Sequence, residues 1–354
     1  MYRLLIAAAL CLGLAQPAAA QTPIPPAKIL DAPWQEATLS VRDFDPIYTF
    51  LTKSGGYEEV ARGAISEGQL AYWNLPNAAT GKFVLLREPG SDHAHIRLID
   101  LDGVSQQPIR IGARAWDTGG FFSLMMRGKD LESLFNEAIA LGFQAESEPI
   151  RFLFEPTDGS PPSDLKNVVI KAPDGINFAI YERVSPALSA FWEFDRLSQP
   201  FNAMQMVANT AIAEGFYRQE LGMESFWASD FIDPKPDYNN FGLPQNLTIE
   251  IPRRTRILWP RPGETGRLEI MEFVGLDGRD LAQRAAPPNL GILSVSYPVN
   301  NAQRAYDRVV RAGALPKYKL KTFQWPPYGR VQMFTLQSPD GALINVFERP
   351  EVPR

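Results

Sequence analysis

Few side chains in this sequence could do chemistry, and their spacing narrows what that chemistry could be. The two histidines are His93 and His95. On an extended strand a His-x-His pair turns both rings to one face, which is workable zinc geometry once a third ligand is found. Asp92 and Asp100 are the nearest candidates. The competing reading puts the pair on an exposed turn after Pro89-Gly90-Ser91. A second candidate lies in Arg267-Leu268-Glu269-Ile270-Met271-Glu272. Strand alternation turns Glu269 and Met271 to one face and Ile270 and Glu272 to the other. Should the Glu269 face be enclosed, burial raises the carboxyl pKa and suits it to general-base work. Aromatic residues are numerous: Tyr72, Trp73, Trp116, Phe121 and Phe122, then Trp227, Trp259 and Trp325. Two or three of these rings could line a small-ligand pocket, with core packing accounting for the others. Trp116-Asp117-Thr118-Gly119-Gly120 is the most distinctive local string and reads as a glycine turn that no particular chemistry requires.

The elements that must position these residues repeat along the chain. At an offset of 166 residues Phe50 matches Phe216, Gly56 matches Gly222 and Glu58 matches Glu224. Pro173-Asp174-Gly175 matches Pro339-Asp340-Gly341 in the same register, and Glu182-Arg183 matches Glu348-Arg349. Coincidence of both clusters at one offset implies duplication. Each half reads as two smaller units of strand, helix and further strands. In the first half, strands are expected at 38–41, 69–73, 82–87, 95–101, 121–126, 167–171 and 177–181. Helices are expected at 43–53 and 130–141, stopped by Gly55-Gly56 and Gly142. In the second half, strands are expected at 203–207, 247–251, 255–259, 267–273, 292–297, 331–337 and 343–347, with helices at 210–220 and 301–311. The stretch 184–200, with its cluster Phe191, Trp192 and Phe194, reads as a surface-packed linker. Pro-rich segments at 156–164 and 233–244 read as loop insertions, either lids or solvated connections.

Composition bounds the class. The 354 residues predict about two domains, and 45% hydrophobic with 21% charged residues suits a soluble protein with a true core. Net charge is −5 with no basic run, so no nucleic-acid partner is expected. The first 20 residues carry Arg3, an apolar run at 4–15 too short to span a bilayer comfortably, and Ala18-Ala19-Ala20 before Gln21. This is a signal-peptide pattern, with an uncleaved anchor as the alternative. A secreted or periplasmic location, and no membrane attachment after cleavage, are the expectations. Cys11, the only cysteine, lies in that segment. The mature chain would then offer no disulfide, thiolate nucleophile or cysteine ligand.

Gly215-Phe216-Tyr217-Arg218-Gln219-Glu220-Leu221-Gly222-Met223 and the two Pro-Asp-Gly turns, each leading to a strand that ends in Glu-Arg, resemble the vicinal-oxygen-chelate superfamily of glyoxalases, extradiol dioxygenases, epimerases and antibiotic-binding proteins. Ser338 leads the second turn as is usual in that family, whereas Ala172 leads the first. The resemblance implies an α+β fold of tandem paired βαβββ modules forming two open, curled β-sheet barrels. It divides the chain into a leader at 1–20, a first domain at 31–184, a linker at 185–195 and a second domain at 196–350.

In metalloenzymes of that family, four strand positions point His, Glu or Gln into each cavity. Carried over, these positions are Glu36, Arg97, Ser123 and Ala179 in the first domain, and Asn202, Glu269, Ser294 and Asn345 in the second. An arginine cannot ligate a metal, and the second set offers one carboxylate, two amides and a hydroxyl, a poor transition-metal site. Glu36 and Arg97, if they face one another, form an ion pair where a metal would sit. Glu269 lies on what resembles the epimerase form of its strand; it is either a general base or a structural carboxylate bonded to Asn202 or Asn345. The expectation is therefore a protein that binds a small apolar or aromatic molecule without a metal or other cofactor. Glu36, Arg97, Ser123, Asn202, Ser294 and Asn345 are its polar anchors, and Glu269 is its one catalytic candidate. A metal-dependent lyase, isomerase or dioxygenase is the alternative. A third reading has one barrel filled by side chains, and the Glu36–Arg97 pairing points to the first.

Overall fold

A computed structural model describes residues 28–155, 161–189 and 193–348. The leader at 1–20, part of the Pro-rich stretch at 156–164, Phe191, Trp192 and Arg349 lie outside the described residues.

The first unit runs β1 (Glu36–Ser40), α1 (Asp45–Thr49), β2 (Glu58–Ala64), α2 (Glu67–Tyr72), β3 (Thr80–Arg87) and β4 (His95–Asp102). Pro46 stands in the first turn of α1, where a missing N–H costs nothing. The helix widens into a π-helical turn at Phe50–Ser54, and Gly56 leaves it at φ +81°. The second unit runs β5 (Ser123–Arg127), α3 (Leu131–Ala140), β6 (Gln144–Ala145), β7 (Ile150–Phe154), β8 (Ser163–Ala172) and β9 (Ile176–Ser185). The third runs β10 (Asn202–Met206), α4 (Thr210–Gln219), β11 (Glu224–Phe231), β12 (Arg253–Trp259) and β13 (Arg267–Phe273). The fourth runs β14 (Gly291–Val299), α5 (Ala302–Arg311), β15 (Tyr318–Gln324), β16 (Arg330–Gln337) and β17 (Leu343–Glu348).

Side chains at the unit boundaries account for the repeated sequence. Glu182 accepts the Leu131 N–H that opens α3 at 2.9 Å, and Glu348 accepts the Ala302 N–H that opens α5 at 2.8 Å. A carboxylate there satisfies a donor the helix cannot and sits at the positive end of its dipole. Asp130, Asn209 and Asn301 cap α3, α4 and α5.

Two of the expected strands are wrong. Residues 69–73 belong to helix α2 and the turn after it, because the Ser66 hydroxyl accepts the Gln69 N–H and starts a helix there. Residues 247–251 lie in a turn that follows a short 3-10 segment at Gln245–Leu247. The strands that fill those places are β2 and β11, both largely exposed and so without the alternation that marks a half-buried strand.

The sheets do not follow the halves of the sequence. One has eight strands in the order β15-β16-β17-β14-β1-β4-β3-β2. The other has nine, running β11-β12-β13-β10-β5-β9-β8-β6, with β7 beside β8. The first unit is thus joined to the fourth, through the antiparallel pair β1–β14 (Thr38 opposite Ser294), and the second to the third, through β5–β10 (Ser123 opposite Met204). Each sheet is therefore built from units of both stretches, 31–184 and 196–350, rather than from one of them. Both sheets share one core on the faces covered by helices. Leu39, Ile96 and Leu98 enter it from one sheet, Leu124, Phe178 and Ile180 from the other, and Phe50, Leu134, Phe216 and Val309 from the helical segments. Each sheet carries a second, separate apolar cluster on its opposite, inner face.

Candidate functional site

The unit pairing regroups the site residues read from sequence. Glu36 and Arg97 share the inner face of the eight-stranded sheet with Ser294 and Asn345, not with Ser123 and Ala179. Ser123 and Ala179 share the nine-stranded sheet with Asn202 and Glu269.

The eight-stranded inner face is filled. Arg97 donates from Nε and Nη2 to the two oxygens of Glu36 at 2.6 and 2.9 Å, and from Nη2 to the Pro326 carbonyl at 2.9 Å. Both side chains are essentially inaccessible, at 1% and 0% exposure. The Tyr328 hydroxyl donates to Glu36 at 2.9 Å, and the Arg97 guanidinium packs between Phe83 and Trp325, 4.5 and 5.2 Å from their ring centres. Beside this pair, Thr335 is bonded to Tyr72 and donates to Asn345, which donates in turn to Ser294 and Ser296 at 3.0 and 3.1 Å. Tyr72, Phe323, Trp325 and Phe347 occupy the remaining space. The site positions bond to one another in a polar network within an aromatic core, while Ser40 Oγ and Trp325 Nε1 are buried without a hydrogen-bond partner among the described residues.

The nine-stranded inner face differs. Glu269 stands in a row across the strands with Met204, Ser123 and Asn177, and Asn202 lies one step along. Asn202 Nδ2 donates to Glu269 Oε2 at 3.1 Å, and among the described residues this is the only hydrogen bond to that carboxyl. Burial raises the Glu269 carboxyl to about 7, the Asn202 bond opposing it only in part. Ser123 Oγ, Asn177 Oδ1, Asn202 Oδ1 and Thr255 Oγ1 are all buried without a hydrogen-bond partner among the described residues. Buried polar atoms are rarely left so. Around them Met125, Met204, Met206, Met271, Phe122, Phe201 and Phe273 form the wall. Methionine side chains rearrange at little cost and suit a face whose contents change.

One end of this face is covered. The insertion at 233–244 is both: residues 234–238 are exposed to solvent, while Asn240, Phe241 and Leu243 dock as a cover. Phe241 lies 6.2 Å from Phe122 and 5.7 Å from Phe273, ring centre to centre. The Asn240 amide donates to Asn167, and Leu243 is buried. Beneath it a cavity of about 20 Å³ is lined by Phe122, Val169, Asn177, Asn240 and Phe241. That holds about one water, so any larger occupant must displace the cover or the methionines. Phe194 of the linker is buried in the same cluster rather than packed on the surface.

The other sequence candidates resolve into structural roles. His93 stands outside β4, with Ala94 between the histidines in the left-handed region at φ +55°. Its ring nitrogens lie 2.6 Å from Asp92 and 2.6 Å from Thr265, so it does not share a face with His95 as a strand pair would. Asp117 of the Trp116–Gly120 string is buried and accepts Arg279 through its backbone N–H, Nε and Nη2 at 2.8, 3.0 and 2.7 Å. Burial pushes the Asp117 carboxyl up, but the bonds from Arg279 and Arg114 outweigh this and hold it below its usual range. Gly119 is needed next to it: a Cβ there would lie 2.5 Å from the Ala282 nitrogen, at φ +114°. The string is a clasp between the chain segment before β5 and that before β14.

Neither face fits a transition metal. On one, both Glu36 oxygens are taken by a guanidinium that repels cations. On the other the four positions supply a hydroxyl, a methyl, an amide and a single carboxylate. Among the described residues no three His, Cys, Asp or Glu side chains gather into a metal-binding group.

Sequence reading missed Arg127, Tyr181, Arg183 and Arg267, which also belong to the nine-stranded inner face. The signal was present, since each stands two residues from an inner-face position of its own strand.

No family model and no curated protein matches the sequence. Solved structures do. Glyoxalase I from Zea mays is 16% identical, with 89% of this chain and 92% of that chain covered and a TM-score of 0.54; a point mutant of it aligns at 0.55. A Bacillus subtilis protein assigned as a dioxygenase is 10% identical, with 90% and 85% covered and a TM-score of 0.51. At these identities the likeness is one of fold.

Proposed function

We propose, for a chain that has the vicinal-oxygen-chelate fold, that it is an exported protein whose nine-stranded sheet binds a small apolar or aromatic molecule without a catalytic metal. The observation that carries this reading is the buried Glu269 carboxyl on a methionine-lined face, beside hydroxyl and amide oxygens of Ser123 and Asn202 that have no hydrogen-bond partner among the described residues. A ligand donor would satisfy them. The contrast with the eight-stranded face, where the equivalent groups bond to one another, supports assigning the ligand to one sheet only. Export is supported by the leader-like segment at 1–20.

The test is a titration of the purified mature protein with the neutral dye N-phenyl-1-naphthylamine, together with metal analysis. One dye site per chain, abolished by Ser123→Phe and kept in Thr335→Val, is the expected result. Absence of a saturable site, or stoichiometric zinc, nickel, iron or manganese, overturns the reading.

A second reading has one observation in its favour. A carboxyl titrating near 7 is poised to take a proton from a substrate at neutral pH. Turnover lost in Glu269→Gln while dye binding persists would favour an enzyme over a binder.

A further inference from the structure

We infer that the end of the nine-stranded sheet where β5 and β9 finish and β10 and β13 begin receives an anionic group, so that the ligand is an apolar molecule with a carboxylate, sulfonate or phosphate at one end. This rests on the binding reading above and specifies its ligand class.

The strand directions bring three arginines to that end. β5 and β9 are parallel, β10 is antiparallel to β5, and β13 is parallel to β10. Arg127 stands two residues beyond Met125, Arg183 two beyond Tyr181, and Arg267 two before Glu269, so the strand period carries each to the inner face. Aromatic rings fix two of them. The Arg127 guanidinium lies 4.5 Å from the centre of Phe201, whose ring also meets Tyr181 at 6.2 Å, and Arg267 lies 3.9 Å from Phe226. Stacking sets the plane of a guanidinium, and Arg267 is held further by donating from Nε and Nη2 to the Gly263 carbonyl.

Countercharge is scarce. Among the described residues Glu264 is the one carboxylate whose charge acts on all three arginines; it is half exposed and 3.7 Å from Arg267. Arg183 Nε is buried without a hydrogen-bond partner among the described residues. Burial lowers Arg127 to about 10, and Arg183 and Arg267 add to this by repulsion. An anion held among three guanidiniums relieves that repulsion and gains charge-assisted hydrogen bonds. From Arg127 to the row of Ser123 and Glu269 is four residues, about 13 Å of strand, the length that an aromatic or short alkyl body would span once the methionines rearrange to admit it.

Two dyes separate the terms. 8-Anilinonaphthalene-1-sulfonate carries the anion, and N-phenyl-1-naphthylamine is the same aromatic body without it. In Arg183→Gln, a half-exposed position that should fold, the sulfonate dye is expected to bind about tenfold more weakly and the neutral dye within twofold of before. Arg183→Lys is expected to recover part of the loss. Raised salt should weaken only the sulfonate dye. Unchanged sulfonate affinity in both Arg183→Gln and Arg267→Gln, or binding of the neutral dye alone, overturns the anion end while leaving the binding reading standing. Failure of both dyes to bind overturns both.

Discussion

Asp340, in the turn between β16 and β17, accepts the backbone N–H of Ala208 at 2.9 Å and so ties the eight-stranded sheet to the nine-stranded one. Asp174, in the turn between β8 and β9, accepts the N–H of Arg42 at 2.9 Å and makes the reverse tie. The two bonds are related by the same 166-residue offset as the sequence repeat. The exchange gives the Pro-Asp-Gly turns a reason to recur: each carboxylate satisfies a backbone donor just past the first strand of a unit in the other sheet. Asp340→Ala and Asp174→Ala should each cost about 1–2 kcal/mol, and the double variant about their sum. Urea unfolding measures this; a variant as stable as the parent would show that its tie contributes nothing.

Stability should depend on Glu269 and pH in a defined direction. Its carboxyl lies near 7 in the fold against an ordinary 4.5. Between those values the folded chain keeps a proton that the unfolded chain has released. The contribution to stability is therefore full below about 4.5 and is lost as pH rises through about 7, a change on the order of 3 kcal/mol. Glu269→Gln should lack this loss and exceed the parent in stability at pH 8. Parallel stability–pH curves for the two proteins would contradict a buried acid at this position.

Breaking the Glu36–Arg97 pair should be more damaging than removing it. Arg97→Met leaves a carboxylate buried at 0% exposure without its cation, a loss of about 3–5 kcal/mol. Glu36→Leu combined with Arg97→Met should recover most of that. Thermal unfolding of the single and double variants decides it, and a double variant no better than Arg97→Met would argue against charge as the cause.

Phe241→Ala removes the ring that closes one end of the nine-stranded face against Phe122 and Phe273. It should lower stability by about 2–4 kcal/mol, as loss of a partly buried aromatic does, yet speed entry of the neutral dye several-fold. Stopped-flow fluorescence checks the second effect, and slower or unchanged entry would mean that the cover does not gate the face.

The sequence by itself determined the parts whose signal is local. The helices at 130–141 and 210–220 were legible because their apolar residues recur at the helical period and a capping residue and a glycine mark their ends. The central strands were legible for the same kind of reason: β13 alternates Glu269 with Ile270 because one face meets the inner methionine-rich cluster and the other the helix-covered core. The pairing of Glu36 with Arg97 was legible only as a conditional, that the two would pair if they faced one another; the structure supplies the facing. Tertiary structure alone decided the rest. The outer strands β2, β11 and β15 lie at or beside sheet edges, face water on much of their surface, and so carry no pattern. Which unit joins which depends on whose strand edges meet, and backbone hydrogen bonds between edges are blind to side-chain identity. That choice separated Glu269 and Asn202 from Ser294 and Asn345, and assembled Arg127, Arg183 and Arg267 from three strands far apart in the chain.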